Sequence, residues 1–157
     1  MSKSPRVRSE PATAKPAGRW EVVFDDAFRM TEWKAMDVEQ RRALLAAALA
    51  LRTAGPGAGR PLIGTLNNPV HPNMKELRYD AHDGAEVWRA AFAFDPLRKA
   101  VVLFAGDKQG VDEALFYREL LRKANKRYEK HLAGLKAASV QEGSRKAATR
   151  GKIRSGR

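Results

Sequence analysis

The stretch "MKELRYDAHDGAEVWRAAFAFD", from Met74 to Asp95, decides the fold, because two alternating runs of apolar and polar residues flank Asp83-Gly84. Alternation with a period of two predicts β-strands, and an Asp-Gly pair between two such runs predicts a hairpin turn. We therefore expect two antiparallel strands, one over Met74–Asp80 and one over Ala85–Asp95.

The second of these strands carries a cation on an otherwise small-residue face. Alternation places Trp88, Phe92 and Phe94 on one face, which we assign to the core. Arg89 falls on the opposite face, where its neighbours Ala91 and Ala93 leave room for a ligand to dock. We expect the Arg89 guanidinium to bind phosphate there, because its planar fork donates paired hydrogen bonds to phosphate oxygens.

The first strand carries two more cations, which point in opposite directions. Lys75 shares a face with Leu77 and Tyr79, whereas Arg78 points the other way. The register between the two strands is not readable from the sequence, so it is open whether Lys75 or Arg78 lies beside Arg89.

The remaining elements follow from hydrophobic spacing and from helix-capping residues. Asp37 and Gln40 form a capping-box pattern at the start of the second helix, and Gly55-Pro56-Gly57 ends it. Asp112 is in position to cap a long final helix. The predicted order is a strand at Arg19–Phe24, a helix at Ala27–Ala35, a helix at Val38–Ala54, a turn-rich connector at 59–73, the hairpin, a central strand at Lys99–Gly106, and a helix ending near Lys136.

Length and composition predict one soluble domain in a reducing compartment. A chain of 157 residues can bury one core, and the absence of cysteine excludes disulfides and thiolate metal sites. The N-terminus lacks the apolar segment of a secretory signal, and the longest apolar runs are too short to span a bilayer. We therefore expect a cytoplasmic protein that is not bound to a membrane.

The net charge of +12 lies mostly at the two ends of the chain. Residues 1–19 hold five cations and one acid, and residues 138–157 hold six cations and one acid, so only +3 belongs to residues 20–137. Both ends have the composition of disordered segments, which bind polyanions without sequence preference or simply aid solubility. We predict a folded domain over 19–137 between disordered basic tails at 1–18 and 138–157.

Four segments together resemble the RelE/HigB superfamily of bacterial toxins, and within it the phage-derived HigB-like branch. They are "HPNMKELRY", "VWRAAFAFDP", "KAVVLFAGDKQG" and "FYRELLRKANKRYEKHLAGLK", in the family's order. The resemblance covers about Trp20 to Lys136 and implies an α+β domain of the RelE/ParE type. Such a domain has an antiparallel sheet, an N-terminal helical hairpin and a long C-terminal helix.

The resemblance also implies an activity and partners. Members of the superfamily typically cleave mRNA, often on the ribosome, and are silenced by an antitoxin that commonly carries a helix-turn-helix domain. Lys75, Arg78 and Arg89 match the family's basic sheet positions, and Lys108 matches a loop beside the same groove. Many members place a tyrosine or histidine near the chain end as a base, whereas this chain continues into a long helix.

RNA cleavage through the 2′-hydroxyl requires a proton acceptor, a proton donor and stabilisation of phosphorane charge, but no metal ion or cofactor. The cations on the hairpin can stabilise the phosphorane charge. His71, in the connector before the first hairpin strand, is a candidate RNA contact, although "HPN" is also typical of a turn. Tyr117 is a second candidate, although helical spacing places it with Tyr128 on a face that suits packing; His131 is expected at the helix surface.

Two other function classes remain open. A sister branch of the superfamily binds DNA gyrase and has no nuclease activity, and the basic tails alone would suit a non-catalytic nucleic-acid-binding protein. The hairpin cations favour an endoribonuclease, whereas the lack of an obvious base favours the gyrase-binding class.

Overall fold

The computed structural model describes residues 20–67 and 69–154, with side chains up to residue 149. These residues form a mixed sheet with helices on both of its faces. The strands are β1 (Glu21–Phe24), β2 (Ile63–Thr65), β3 (Met74–Ala81), β4 (Glu86–Phe94) and β5 (Lys99–Asp107). The helices are α1 (Asp26–Met30), α2 (Glu32–Ala35), α3 (Val38–Ala54) and α4 (Glu113–Arg154), and a 3₁₀ turn at Gly55–Gly57 follows α3.

The strands lie in the order β1-β5-β4-β3-β2. Neighbouring strands from β5 to β2 are antiparallel, which confirms the α+β class and the predicted hairpin. The first strand is parallel to its neighbour, with Glu21 opposite Lys99, so that the sheet as a whole is mixed.

Each face of the sheet has its own apolar core. Helices α1 to α3 cover one face, where Phe28, Leu44 and Leu51 pack with Leu77 and Phe92. Helix α4 covers the other face. There its buried residues Phe116, Leu120, Ala124 and Tyr128 pack on the sheet residues Met74, Ala91, Ala93 and Leu103.

The predicted caps are present. The Asp37 carboxylate accepts from the Gln40 N–H at 2.8 Å and the Gln40 side chain accepts from the Asp37 N–H at 2.9 Å, which completes the capping box of α3. Asp112 caps α4 by accepting from the Leu115 N–H at 2.9 Å. The hairpin turn needs three consecutive left-handed residues, with φ of 52° at His82, 54° at Asp83 and 84° at Gly84. Gly84 takes this backbone shape without a Cβ clash.

One strand lies where the sequence predicts only a connector. In β2, Ile63 pairs with Leu77, Gly64 with Glu76 and Thr65 with Lys75. A strand of three residues is too short to show an alternating pattern in the sequence. It forms because it pairs with the edge of β3. This short strand covers one side of Glu76.

Helix α4 extends well past the packed part of the chain. From Lys136 to Thr149 every side chain is exposed, yet the helix continues to Arg154. Most of this extension lies within 138–157, for which the composition predicts a disordered basic tail, and that boundary stays a prediction. Alanine, lysine, arginine, glutamate and glutamine favour helix, and Glu142 pairs with Lys146 one turn later at 3.6 Å. The predicted tail at 1–18 lies outside the described residues. In the described part of the chain, no helix has the length and apolar character that crossing a bilayer requires.

Candidate functional site

The register of the hairpin brings Arg78 and Arg89 together. They lie directly opposite each other in β3 and β4, and both side chains point to the face that α4 covers. Lys75 pairs instead with Phe92 and Thr65, on the face that packs against α1 to α3. The sequence leaves open whether Lys75 or Arg78 lies beside Arg89, and the register shows that it is Arg78. Lys75 lies on the opposite face of the sheet.

Arg89 is buried rather than open to solvent. Only 6% of the residue is exposed, because α4 packs on Ala91 and Ala93 and fills the space that the small residues leave. Its Nη1 donates to the Trp88 carbonyl oxygen at 2.8 Å. Among the described residues, its Nε has no hydrogen-bond partner. The expectation of an open docking face above Arg89 is thus corrected: the guanidinium lies beneath the start of α4.

Glu76 is the centre of the site, and sequence reasoning did not select it. It is 3% exposed and lies on the same face as Arg78, two residues away in β3. Arg78 Nη1 donates to Oε1 at 2.9 Å, and the Tyr117 hydroxyl donates to Oε2 at 2.8 Å. One feature of the sequence indicates its role: alternation along β3 places the acidic Glu76 on the same face as the cation Arg78.

Gly64 in β2 makes room for this carboxylate. A Cβ built at Gly64 would lie 2.6 Å from Glu76 Oε1, which is closer than real contacts allow. The glycine is therefore required by the position of the Glu76 side chain and not by an unusual backbone angle.

Substituting Gly64→Ala should lower the free energy of unfolding by about 1–3 kcal/mol, because the new methyl group pushes Glu76 away from Arg78 and Tyr117. Chemical denaturation measures this change. Gly57→Ala is the matched control, since a Cβ at Gly57 meets no atom within 4 Å. Equal stability of the two variants would contradict the expected crowding at Glu76.

An open cleft of about 540 Å³ leads to Glu76. It lies between the segment around β2, strand β3 and the first turns of α4. Arg60, Arg78 and Lys108 line it together with Glu76, Glu113 and Tyr117. Lys108 Nζ lies 3.3 Å from a carboxylate oxygen of Glu113, which is an exposed side chain. Three cations and two carboxylates line the cleft, and each carboxylate pairs with one cation, so the lining has one positive charge in excess, which suits a singly charged anion such as a phosphodiester.

Tyr117 is a proton donor and not a base at neutral pH. Burial raises the pKa of Tyr117 to about 12, and its hydrogen bond to Glu76 contributes in the same direction. The nearby Arg89 guanidinium acts in the opposite sense and lowers this pKa. The phenol is therefore neutral at pH 7, and its proton lies on the bond to Glu76.

Tyr117→Phe should flatten the decline of stability in alkaline solution. A pKa of about 12 in the folded state, against about 10 in the unfolded chain, means that the stabilisation is complete below pH 10 and is lost as the pH rises through 12. Between these values, the free energy of unfolding should fall more steeply with pH for the native chain than for the variant. Parallel curves from denaturation at several pH values would contradict this. Burial also raises the pKa values of Tyr79 and Tyr128, and it does so in both proteins. The difference between the two stability curves therefore reports on Tyr117 alone.

The histidines lie away from this cleft. The His71 carbonyl accepts from Met74 N, and Met74 pairs with Ala93, four residues from the Arg78–Arg89 pair, or roughly 13 Å along the strands. At that end the His71 ring meets the Tyr128 ring edge-on at 4.9 Å. His71 is thus not brought together with Arg78, Lys108 and Tyr117.

His131 also belongs to that far end of the sheet. It was expected at the helix surface, but it is partly buried, and its Nε2 lies 2.8 Å from the buried Asp95. Tyr128 packs as predicted, with 4% of the residue exposed. Within residues 20–67 and 69–154, no group of three or more histidine, aspartate or glutamate side chains is arranged to hold a metal ion.

Comparison with known proteins identifies the family. The family model described as "Phage derived protein Gp49-like (DUF891)" matches residues 31–129. The chain belongs to the phage-derived Gp49-like family. This agrees with the phage-derived HigB-like branch that the sequence motifs indicate.

Two relatives from Mycobacterium tuberculosis carry toxin names. The chain is 36% identical over 122 residues to "Putative toxin HigB2", and this region is 77% of the chain and 60% of the relative. It is 45% identical over 60 residues to "Putative toxin HigB3", which is 38% of the chain and 49% of that relative. The chain thus spans only about half to three-fifths of the length of these relatives. No solved structure is significantly similar to the chain.

The region matched to the Gp49-like family contains the whole cleft. Glu76, Arg78, Arg89, Lys108 and Tyr117 all lie within residues 31–129. Strand β1 and the exposed end of α4 lie outside it. The candidate site therefore belongs to the part of the chain that defines the family.

Proposed function

We propose that this Gp49-like protein is the toxin of a type II toxin–antitoxin pair and that it cleaves mRNA in the cytoplasm. One observation carries the proposal: a single cleft holds a carboxylate, a neutral phenol and a guanidinium in direct contact. They can serve as the proton acceptor, the proton donor and the charge-stabilising group that cleavage through the 2′-hydroxyl requires. The toxin names of the two mycobacterial relatives support the same class.

Each group has a role in the proposed reaction. Glu76 accepts the proton of the 2′-hydroxyl as its oxygen attacks the adjacent phosphorus. Arg78 stabilises the negative charge that grows on the phosphate oxygens, and Lys108 holds the flanking backbone. Tyr117 gives its proton to the departing 5′-oxygen, whose alkoxide is a far stronger base than a phenolate. The hydrogen bond between Glu76 and Tyr117 then returns the proton to the phenol and restores the site.

Arg89 acts from beneath the cleft in this scheme. It does not line the cleft, so we assign it no direct phosphate contact. Its buried positive charge lowers the pKa of Tyr117 and thereby makes the phenol a better acid. The same charge raises the electrostatic potential at the phosphate. Lys75 and His71 have no role in the scheme, because neither reaches the cleft.

The proposed partners follow from the toxin assignment. A cognate antitoxin, commonly with a helix-turn-helix domain in related pairs, would silence the protein. The ribosome would present mRNA to the cleft in an extended form. Neither RNA nor ribosome needs to supply a metal ion, because RNA carries its own nucleophile.

The test uses the purified full chain and a defined mRNA, with and without ribosomes. Attack by the 2′-hydroxyl should leave a 2′,3′-cyclic phosphate on one product and a 5′-hydroxyl on the other. A substrate with a 2′-deoxy nucleotide at the mapped site should resist cleavage there. Growth arrest on induced expression without new mRNA 5′ ends would overturn the nuclease proposal. If DNA gyrase were inhibited instead, the gyrase-binding class would replace it.

A further inference from the structure

The free edge of β1 forms a groove with α3 on the side of the molecule opposite α4. This groove, called the β1 groove below, has a volume of about 900 Å³ and is bordered by Trp33, Leu45 and Leu49. Leu45 is 51% exposed and Leu49 is 62% exposed, and they lie one turn apart on α3. Large apolar side chains exposed side by side along a cleft are typical of a surface that binds another chain.

The backbone of β1 offers hydrogen bonds to the groove. Strand β1 is the last strand of the sheet, and the Asp25 N–H donates to the Val102 carbonyl oxygen of β5 at 2.9 Å. Successive residues of a strand direct their N–H and C=O groups to opposite sides, so Val22 and Phe24 direct theirs away from β5. An extended peptide could pair with these groups as a sixth strand.

Cations lie at both ends of the groove. Arg29 follows the end of β1 in α1, and the Arg52 carbonyl accepts from Trp20 N at 3.4 Å at the beginning of β1. Neither arginine side chain has an acidic partner among the described residues. Glu21 also borders the groove, but it pairs with Lys99 at 3.9 Å. The four residues of β1 between these ends span about 13 Å.

We infer that the β1 groove binds an extended segment of a partner protein that has apolar residues in its middle and acidic residues at both ends. The segment adds a strand to β1, its apolar side chains cover Leu45 and Leu49, and its carboxylates pair with Arg29 and Arg52. Under the proposed toxin function this partner is the antitoxin. Peptide binding at the β1 groove and RNA cleavage at the cleft that leads to Glu76 are separate properties, so either can fail alone.

Other occupants fit the groove less well. A second copy would bring Arg29 and Arg52 of one molecule against the same arginines of the other. The chain's own first 19 residues carry five cations and one acid, so their charge has the wrong sign. They also contain Pro5, Pro11 and Pro16, each of which lacks the N–H that a paired strand needs.

The test measures binding of short fluorescein-labelled peptides to the full chain by fluorescence polarisation. One peptide has alternating valine and threonine flanked by glutamates, and its control has lysines in place of the glutamates. The acidic peptide should bind at least tenfold more tightly. Arg29→Glu combined with Arg52→Glu should reverse this preference, whereas Arg118→Glu combined with Arg122→Glu changes the charge equally on α4 and should not. Hydrogen exchange should slow at Val22 and Phe24 when the acidic peptide binds.

Three results would overturn the inference. The first is equal binding of both peptides, or an unchanged preference in the reversed variant. The second is protection of Val22 and Phe24 in the free monomer, which would mean that the chain covers its own groove. The third is a dimer in light scattering that Leu49→Glu dissociates, which would make the groove a self-interface. Leu115→Glu, at a leucine 48% exposed on α4, is the matched control for that variant.

Discussion

Replacing Arg78 by alanine should lower the rate of RNA cleavage by about 10²–10³-fold, the usual cost of losing one preorganised donor to transition-state charge. Arg78 is the cation that both lines the cleft and touches Glu76. Its loss would remove the phosphate contacts proposed for it and leave the Glu76 carboxylate without its cation. RNA affinity should fall less than the rate, because Lys108 and Arg60 remain.

Two further variants distinguish catalysis from general charge. Arg78→Lys keeps the charge but not the planar fork, so it should recover only part of the rate. Arg42→Ala removes an exposed arginine that is likewise paired with a glutamate, Glu39 at 3.1 Å, and should cleave as the native chain does. Rates are compared per folded molecule, with folding checked by circular dichroism. An Arg78→Ala rate within a few-fold of native would remove Arg78 from the mechanism.

Replacing Arg89 by methionine should lower the cleavage rate, by less than the loss expected for Arg78→Ala, while thermal stability stays the same or rises. The side chain is buried, and its Nε lacks a hydrogen bond among the described residues, so the hydrogen bond of Nη1 to the Trp88 carbonyl compensates only part of the cost of burying the charge. A hydrophobic side chain of similar length fills the same space without that desolvation cost. The rate falls because Tyr117 loses the charge that lowers its pKa.

Melting temperature and cleavage rate of the Arg89 variant, measured on one preparation, decide between a functional and a structural role. Arg89→Ala serves as the comparison, since it removes the charge and also opens a cavity, so it should lose stability as well as rate. A methionine variant with a lowered melting temperature and a native rate would show that Arg89 holds the fold and does not serve the reaction.

The sequence predicts the local features of this fold well. The hairpin at Asp83-Gly84, the capping box of Asp37 and Gln40, and the Asp112 cap all depend on residues close together in the chain. The same holds for the apolar faces of β4 and α4. Such features are readable because period and capping chemistry are local properties.

The site is less readable, because it depends on register. Whether Arg78 or Lys75 lies beside Arg89 is decided by which residues pair across β3 and β4, and no local pattern fixes that. Glu76 was missed for a similar reason: its burial depends on β2, which forms only against β3, and on Gly64, whose missing side chain leaves the space. The burial of Arg89 reflects the path of α4 over small residues that equally suited an open surface.

The parallel pairing of β1 has a consequence for the order in which the chain can fold during synthesis. Glu21 pairs with Lys99, so the first strand must wait for a partner made 78 positions later. At roughly 5–20 residues per second, that delay is on the order of 4–16 s, even before Lys99 leaves the ribosome. The β3–β4 hairpin closes locally and has no such delay. Among the strands, β1 is therefore the one that waits longest for its partner, and during that interval its edge is open to a chaperone.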